Sequence, residues 1–317
     1  MKAVFLDYAT MGPDLDLKPL RELFDDLEIY EETSDDETVD RVRDVEFAFT
    51  NKIRFTEELL REASRLRFIG LTATGTDNID LVTAKANDIA VANIRAYCTQ
   101  SVVEHVFGTL LMLTHSLHSY NASVRAGEWQ TSQDFCILSH PVREISAMTM
   151  GVVGYGELGK GVASIARAFG MDVLVSARPG TDTVGDDRVA FGEVLATSDV
   201  ISLHCPLNQH TQNLFNATTF AKMKPGSILI NTARGGLVDS AALVAALESG
   251  HLSGAALDVL AKEPPSDGDP ALDYTGPTLV VTPHVAWATN EARQNAVDEL
   301  ATNAAAFIAG DERNRVV

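Results

Sequence analysis

The chain has 317 residues, 45% of them hydrophobic and 22% charged, enough to bury one or two full-sized cores. Its 44 acidic residues against 25 basic ones give a formal net charge of −19, which repels nucleic acid and anionic membrane surfaces at long range and argues against either as a partner. Cys98, Cys136 and Cys205 lie far apart with no C-x-x-C pair, so neither a disulfide framework nor a zinc knuckle is expected.

The opening residues 2–7 are strand-sized and lack the apolar core and cleavage site of a signal peptide. No apolar run reaches membrane-spanning length, and a cytoplasmic location is expected. Short apolar runs at 4–6, 45–49, 66–71 and 89–92 alternate with polar, helix-compatible segments such as 56–65. This reads as an α/β unit without a glycine-rich phosphate loop of its own.

A long helix is expected over 99–118, with Val102, Val106, Leu110, Leu113 and Leu117 along one side, joining this unit to a second. His115 and His118 lie one turn apart on it, but no carboxylate or cysteine at ligand spacing completes a metal site, so no metal is expected. The stretch 119–150 is too long for an ordinary connector. Its Trp129 and Phe135 favour a dimerisation arm over a lid.

Next, Gly151-Val152-Val153-Gly154-Tyr155-Gly156-Glu157-Leu158-Gly159 carries a short apolar run into G-x-G-x-x-G and then into a helical pattern. Gly154 permits a tight turn, Gly156 lets the backbone approach a pyrophosphate, and Gly159 lets the helix pack closely on the strand. The helix start then faces phosphate with unpaired N–H groups. Ala163, Ile165, Ala166 and Phe169 read as its buried face. Further apolar runs at 173–175, 200–203, 227–230, 255–259 and 278–281 imply a parallel sheet covered on both faces, a doubly wound dinucleotide-binding (Rossmann) fold. Ligands of such sheets sit beyond the carboxyl ends of the strands.

Three residues follow such ends: Arg234 in Asn231-Thr232-Ala233-Arg234-Gly235-Gly236, Glu263 after the run at 255–259, and His284 in Thr282-Pro283-His284. Singly, each has an ordinary alternative: a surface arginine on a glycine turn, a solvated loop carboxylate, a structural histidine. Together they compose a site for reducing a 2-oxo acid. Arg234 would hold the carboxylate by two parallel bonds and polarise the carbonyl, His284 would supply a proton to the new alkoxide, and Glu263 would pair with the imidazole and favour its charged form. The last helix, over 291–309, has Ala292, Ala296, Leu300 and Phe307 on one side and is expected to return to the first unit.

These motifs, with Ala256-Leu257-Asp258-Val259 and Glu263-Pro264, resemble the D-isomer-specific 2-hydroxyacid dehydrogenase family along essentially the whole chain. The resemblance implies a substrate-binding domain of flavodoxin-like α/β fold built from both chain ends (1–98 and 288–317), a cofactor domain over 99–287, and a homodimer. It puts the catalytic roles on Arg234, Glu263 and His284. It puts cofactor contacts on Glu157, Leu158, Thr232, Ala233, Asp258, Ala286 and Trp287, beside Gly154, Gly156 and Gly159, and substrate-carboxylate contacts on the backbone of Thr74 and Gly75. Ala73-Thr74-Gly75-Thr76-Asp77-Asn78, Gly127-Glu128-Trp129 and Leu203-His204-Cys205-Pro206-Leu207 are most similar to hydroxypyruvate reductases, also called glycerate dehydrogenases, which often accept glyoxylate. Rival readings are an enzyme resembling D-3-phosphoglycerate dehydrogenase and an NAD(H)-sensing scaffold of the C-terminal-binding-protein type. Against the first, the first unit shows no basic cluster for a substrate phosphate; against the second, all three catalytic residues are intact.

One departure concerns the cofactor. Where NAD-using relatives place an acidic residue after the second strand to bind the ribose hydroxyls, this chain reads Ser176-Ala177-Arg178. Ala177 removes the repulsion toward a 2′-phosphate that Arg178 and Ser176 would bind, which favours NADP(H) while leaving NAD(H) open. Asp182, the nearest later acid, lies far along the loop.

Overall fold

The computed structural model describes residues 1–181, 185 and 187–317; Asp182 lies outside the described residues. By its internal contacts the chain divides into two compact units, Met1–Cys98 with Ala288–Val317, and Thr99–Trp287.

The first unit is built on five parallel strands, β1 (Lys2–Phe5), β2 (Asp26–Ile29), β3 (Phe47–Thr50), β4 (Phe68–Leu71) and β5 (Ala90–Ala92), in the order β2-β1-β3-β4-β5. This is the flavodoxin-like order. β3 and β4 are buried at every position, as expected of strands covered on both faces. Phe47, Phe49 and Phe68 meet in tilted and edge-on ring contacts, with Phe24 against Phe47 and Phe49 and with Phe307 of the Asn290–Ala309 helix, which belongs to this unit, against Phe47 and Phe68. Thr289 caps that helix by accepting from the Ala292 amide, and Gly310 ends it at φ 85. The sequence reading missed β2, because an edge strand of sequence Asp-Leu-Glu-Ile has only two apolar residues and no buried position.

The second unit holds β6 (Thr149–Val153), β7 (Asp172–Val175), β8 (Val200–Leu203), β9 (Ser227–Asn231), β10 (Leu252–Leu257) and β11 (Leu279–Val281), all parallel, in the order β11-β10-β9-β8-β6-β7. The order reverses between β6 and β8, so the crevice where a doubly wound sheet takes its ligand opens at the end of β6. Val153, Leu229, Leu243 and Leu257 are among the residues that fill the core on one side of this sheet.

Two expectations need correction. The helix over 99–118 is in fact two, Thr99–Thr114 and Leu117–Arg125, broken where Ser116 adopts a left-handed φ of 50 and its hydroxyl donates to the Pro141 carbonyl. The stretch 119–150 therefore begins as helix, and His115 and His118 do not share one. Phe169 is 42% exposed and stacks on Phe107. Val162, with Gly159, Ala163 and Ala166, takes the buried face of the Glu157–Ala168 helix instead. Among the described residues no helix is long and apolar enough to cross a membrane.

Candidate active site

One row of the ladder crosses five strands of the second unit: Val153 pairs Leu203, Leu203 pairs Asn231, Asn231 pairs Leu257, and Leu257 pairs Val281. The residues that follow at the carboxyl edge are Gly154, His204, Thr232, Asp258 and Thr282. The glycine loop and the loops bearing Arg234, Glu263 and His284 thus leave the sheet at one level and side by side.

Arg234 sits on a turn clamped by a side chain the sequence reading did not single out. Asn231 is fully buried; its Oδ1 accepts the Ala233 amide at 3.0 Å and its Nδ2 donates to the Arg234 carbonyl at 2.9 Å. The Arg234 guanidinium in turn donates to the Ala233 carbonyl at 2.7 Å. Gly235 lies so close to the next loop that a Cβ there would stand 1.9 Å from the carbonyl carbon of Leu260. Only glycine permits this approach, and it brings the arginine turn directly onto the loop of Glu263.

Glu263 Oε1 accepts the Leu260 amide at 2.8 Å, and its Oε2 lies 2.6 Å from Nδ1 of His284. Both side chains are about one third exposed, at 33% and 29%, and so remain reachable by a ligand. With Nδ1 engaged by the carboxylate, Nε2 is the nitrogen left to act outward. The His284 main chain is left-handed, at φ 56. Asp258, 2% exposed, holds the segment around it: its carboxylate accepts from the Thr282 hydroxyl at 2.6 Å, the Val285 amide at 2.9 Å and the Ala286 amide at 2.8 Å, and its carbonyl accepts the His284 amide at 2.8 Å. The Asp258 carboxylate, assigned to the cofactor by resemblance, is thus engaged by its own chain. Trp287 Nε1 donates to the His284 carbonyl at 3.0 Å.

The glycine loop has the geometry a dinucleotide requires. Gly154 has φ 97 and abuts the backbone of His204 and Cys205, and a Cβ on Gly159 would lie 2.0 Å from the Gly154 carbonyl oxygen. Gly156 is different: a Cβ there would meet nothing within 4 Å, so its glycine leaves room for a ligand rather than for protein. It also begins the Glu157–Ala168 helix with no side-chain cap, so among the described residues no side chain caps the first N–H groups, at Glu157 and Leu158. Nearby, the Thr232 hydroxyl is screened from solvent and finds no partner among the described residues. These residues fit a bound dinucleotide. His204, beneath the loop, bonds through Nε2 to the Ser202 hydroxyl at 2.8 Å, and enclosure pushes its pKa down to about 4, so it is neutral.

The loop after β7 only partly matches the expectation for a 2′-phosphate. Ser176 is 4% exposed and its hydroxyl donates to the Ala177 carbonyl at 2.7 Å, so it is turned to its own chain. Arg178 is exposed. Arg188, which the sequence reading passed over, lies with its guanidinium 4.9 Å from the ring centre of Tyr155 in the glycine loop. In the first unit, the Thr74–Gly75 loop leaves the carboxyl edge of β4, tied by the Thr74 hydroxyl to the Ile94 carbonyl at 3.0 Å and by the Asn93 side-chain Nδ2 to the Thr74 carbonyl at 2.7 Å.

The family model described as D-isomer specific 2-hydroxyacid dehydrogenase, NAD binding domain, matches residues 107–286. The chain belongs to this family. It is accordingly a nicotinamide-dependent oxidoreductase of the 2-hydroxyacid dehydrogenase class. It is 45% identical over 289 residues to the glycerate dehydrogenase of Methylorubrum extorquens, covering 90% of each chain. To the hydroxypyruvate reductase of Blautia hydrogenotrophica it is 36% identical over 323 residues, covering 100% of this chain and 99% of the relative. Among solved structures, an acyclic imino acid reductase in complex with NADPH and D-Arg superimposes over 100% of both chains with a TM-score of 0.87 at 29% identity. The dehydrogenase family thus spans both units, and its cofactor domain is the one that carries the Arg234, Glu263 and His284 loops.

Proposed function

We propose that this dehydrogenase reduces hydroxypyruvate to D-glycerate, and glyoxylate to glycolate as a second reaction. The observation that carries the proposal is the 2.6 Å contact between His284 and Glu263, on a loop packed against the turn of Arg234. The relatives named for glycerate and hydroxypyruvate supply the substrate class.

In this reading the Arg234 guanidinium holds the substrate carboxylate and draws electron density from the adjacent carbonyl. In the unit made from both chain ends, the backbone N–H groups of Thr74 and Gly75 are donors suited to a substrate carboxylate. When bound, the reduced nicotinamide supplies the hydrogen and electron pair that reduce C2. His284 gives the proton on Nε2 to the oxygen as it becomes an alkoxide, and Glu263 balances the imidazolium charge before transfer. Gly154, Gly156, Glu157, Leu158 and Gly159 would hold the pyrophosphate, and Thr232, Ala233, Ala286 and Trp287 would border the nicotinamide half.

NADP(H) is the favoured cofactor. The support is Ala177 in place of an acid and the exposed Arg178 beside it; the Ser176 hydroxyl is not needed. The family model's description names NAD and the solved relative holds NADPH, so the preference rests on this chain's own loop.

The working state is a homodimer joined through the segment after the Leu117–Arg125 helix, where Phe135 is 90%, Leu138 83% and Trp129 49% exposed. A cytoplasmic location accords with three free thiols. The experiment is oxidation of NADPH and NADH against a panel of small 2-oxo acids, with chiral analysis of the product. Highest kcat/KM with hydroxypyruvate and NADPH, giving the D-isomer, supports the proposal; turnover confined to 3-phosphohydroxypyruvate, or none, contradicts it.

A further inference from the structure

A left-handed main chain at a residue other than glycine persists only where its surroundings over-determine it. At His284 the Asp258 carboxylate supplies part of that constraint. The carboxylate is itself almost entirely enclosed, and among the described residues the basic side chain at ion-pair distance from it is His105, with Nε2 3.8 Å from Oδ1. His105 lies on the Thr99–Thr114 helix, at the far end of the same unit's sequence.

The helix reaches the His284 loop at two points one turn apart. His105 Nε2 is 3.1 Å from the Thr282 hydroxyl, and the Ser101 hydroxyl donates to the Ala286 carbonyl at 2.6 Å. Proton counting sets the direction of the first contact. Thr282 has one hydroxyl hydrogen and gives it to Asp258 at 2.6 Å, so its oxygen accepts from His105, whose Nε2 carries the hydrogen. Donation therefore runs from His105 through Thr282 to the Asp258 carboxylate, which also accepts the Val285 and Ala286 amides that follow His284.

We propose that His105, acting through the Thr282 hydroxyl, and Ser101, acting on the Ala286 carbonyl, are positioning residues that lock the 282–286 loop to the helix and hold the His284 imidazole against Glu263. The proposal rests on the reading of His284 as proton donor. Neither residue touches substrate or cofactor in this account; their effect is on where the imidazole points. A misplacement of about 1 Å at a reacting group lowers turnover by about 10²-fold, so loss of the lock should appear in kcat.

The test compares His105→Leu, His105→Gln and Thr282→Val in the intact enzyme. His105→Leu should lower kcat by about 10- to 100-fold while KM for the oxo acid and the Kd for NADPH, read by fluorescence, move by less than about twofold. His105→Gln retains an N–H donor at similar reach and should recover turnover to within about threefold of the parent. Thr282→Val should reproduce His105→Leu, and the double variant should be no worse than either single one, because both cut the same chain. Full turnover in His105→Leu with only a lowered Tm, or strictly additive losses in the double variant, overturns the proposal. His284→Ala, run alongside, separates the two levels. If it abolishes turnover while His105→Leu and Thr282→Val do not lower it, the lock alone is wrong; if it leaves turnover intact, the proton-donor reading falls and the lock falls with it.

Discussion

Nδ1 of His284 lies 2.6 Å from Oε2 of Glu263, whose other oxygen is fixed by the Leu260 amide at 2.8 Å. The carboxylate is therefore anchored at one oxygen and orients the imidazole with the other. A glutamine at this position keeps the shape but removes the carboxylate charge beside the imidazole. Glu263→Gln should lower kcat by roughly 10- to 100-fold with cofactor affinity unchanged. Steady-state rates and NADPH titration check this, and full turnover would remove Glu263 from the mechanism.

Arg234→Ala should raise KM for the oxo acid and lower kcat together, since anchoring and polarisation are lost at once. Arg234→Lys keeps a charge without the planar fork and should recover only part of the loss. A change confined to the KM for NADPH would show that Arg234 serves the cofactor instead.

The sequence makes the site legible where chemistry follows a strand immediately. Gly154, Arg234 and His284 each come within four residues of an apolar run, and parallel pairing then sets those runs level. What it hides depends on distance or on local exposure. His105 meets Thr282 across 177 positions, and no spacing rule links them. The break at Ser116 is invisible because apolar spacing continues through it to Leu117, which is 54% exposed. Phe169 continues an apolar helical face in the sequence, yet it lies past the buried residues of that helix and stacks on Phe107 at the surface.

Ala177→Asp should move preference toward NAD(H), because a carboxylate after β7 accepts from ribose hydroxyls and repels a 2′-phosphate. Arg178→Ala should raise KM for NADPH several-fold and leave NADH unaffected. The ratio of kcat/KM for the two cofactors measures both. An unaltered ratio in Ala177→Asp would show that the loop does not choose the cofactor.

His204 ties stability to pH. Enclosure lowers its folded pKa from 6.5 to about 4, so the unfolded chain takes up the proton first as pH falls. The stability this group confers is complete above about pH 6.5 and is lost as pH falls toward 4, by an amount of the order of 3 kcal/mol. His204→Gln, which does not titrate, should narrow the drop in Tm between pH 7 and pH 5. An equal drop in both proteins would mean that His204 does not govern acid sensitivity.

The most direct measurement follows the nicotinamide absorbance band when hydroxypyruvate is added to NADPH with the parent enzyme or with His284→Ala. Rapid loss of absorbance is expected with the parent, and a rate lower by about 10²- to 10⁴-fold with the variant at unchanged Kd for NADPH. Equal rates in the two proteins, or no hydroxypyruvate-dependent oxidation of either cofactor by the parent, would contradict that expectation.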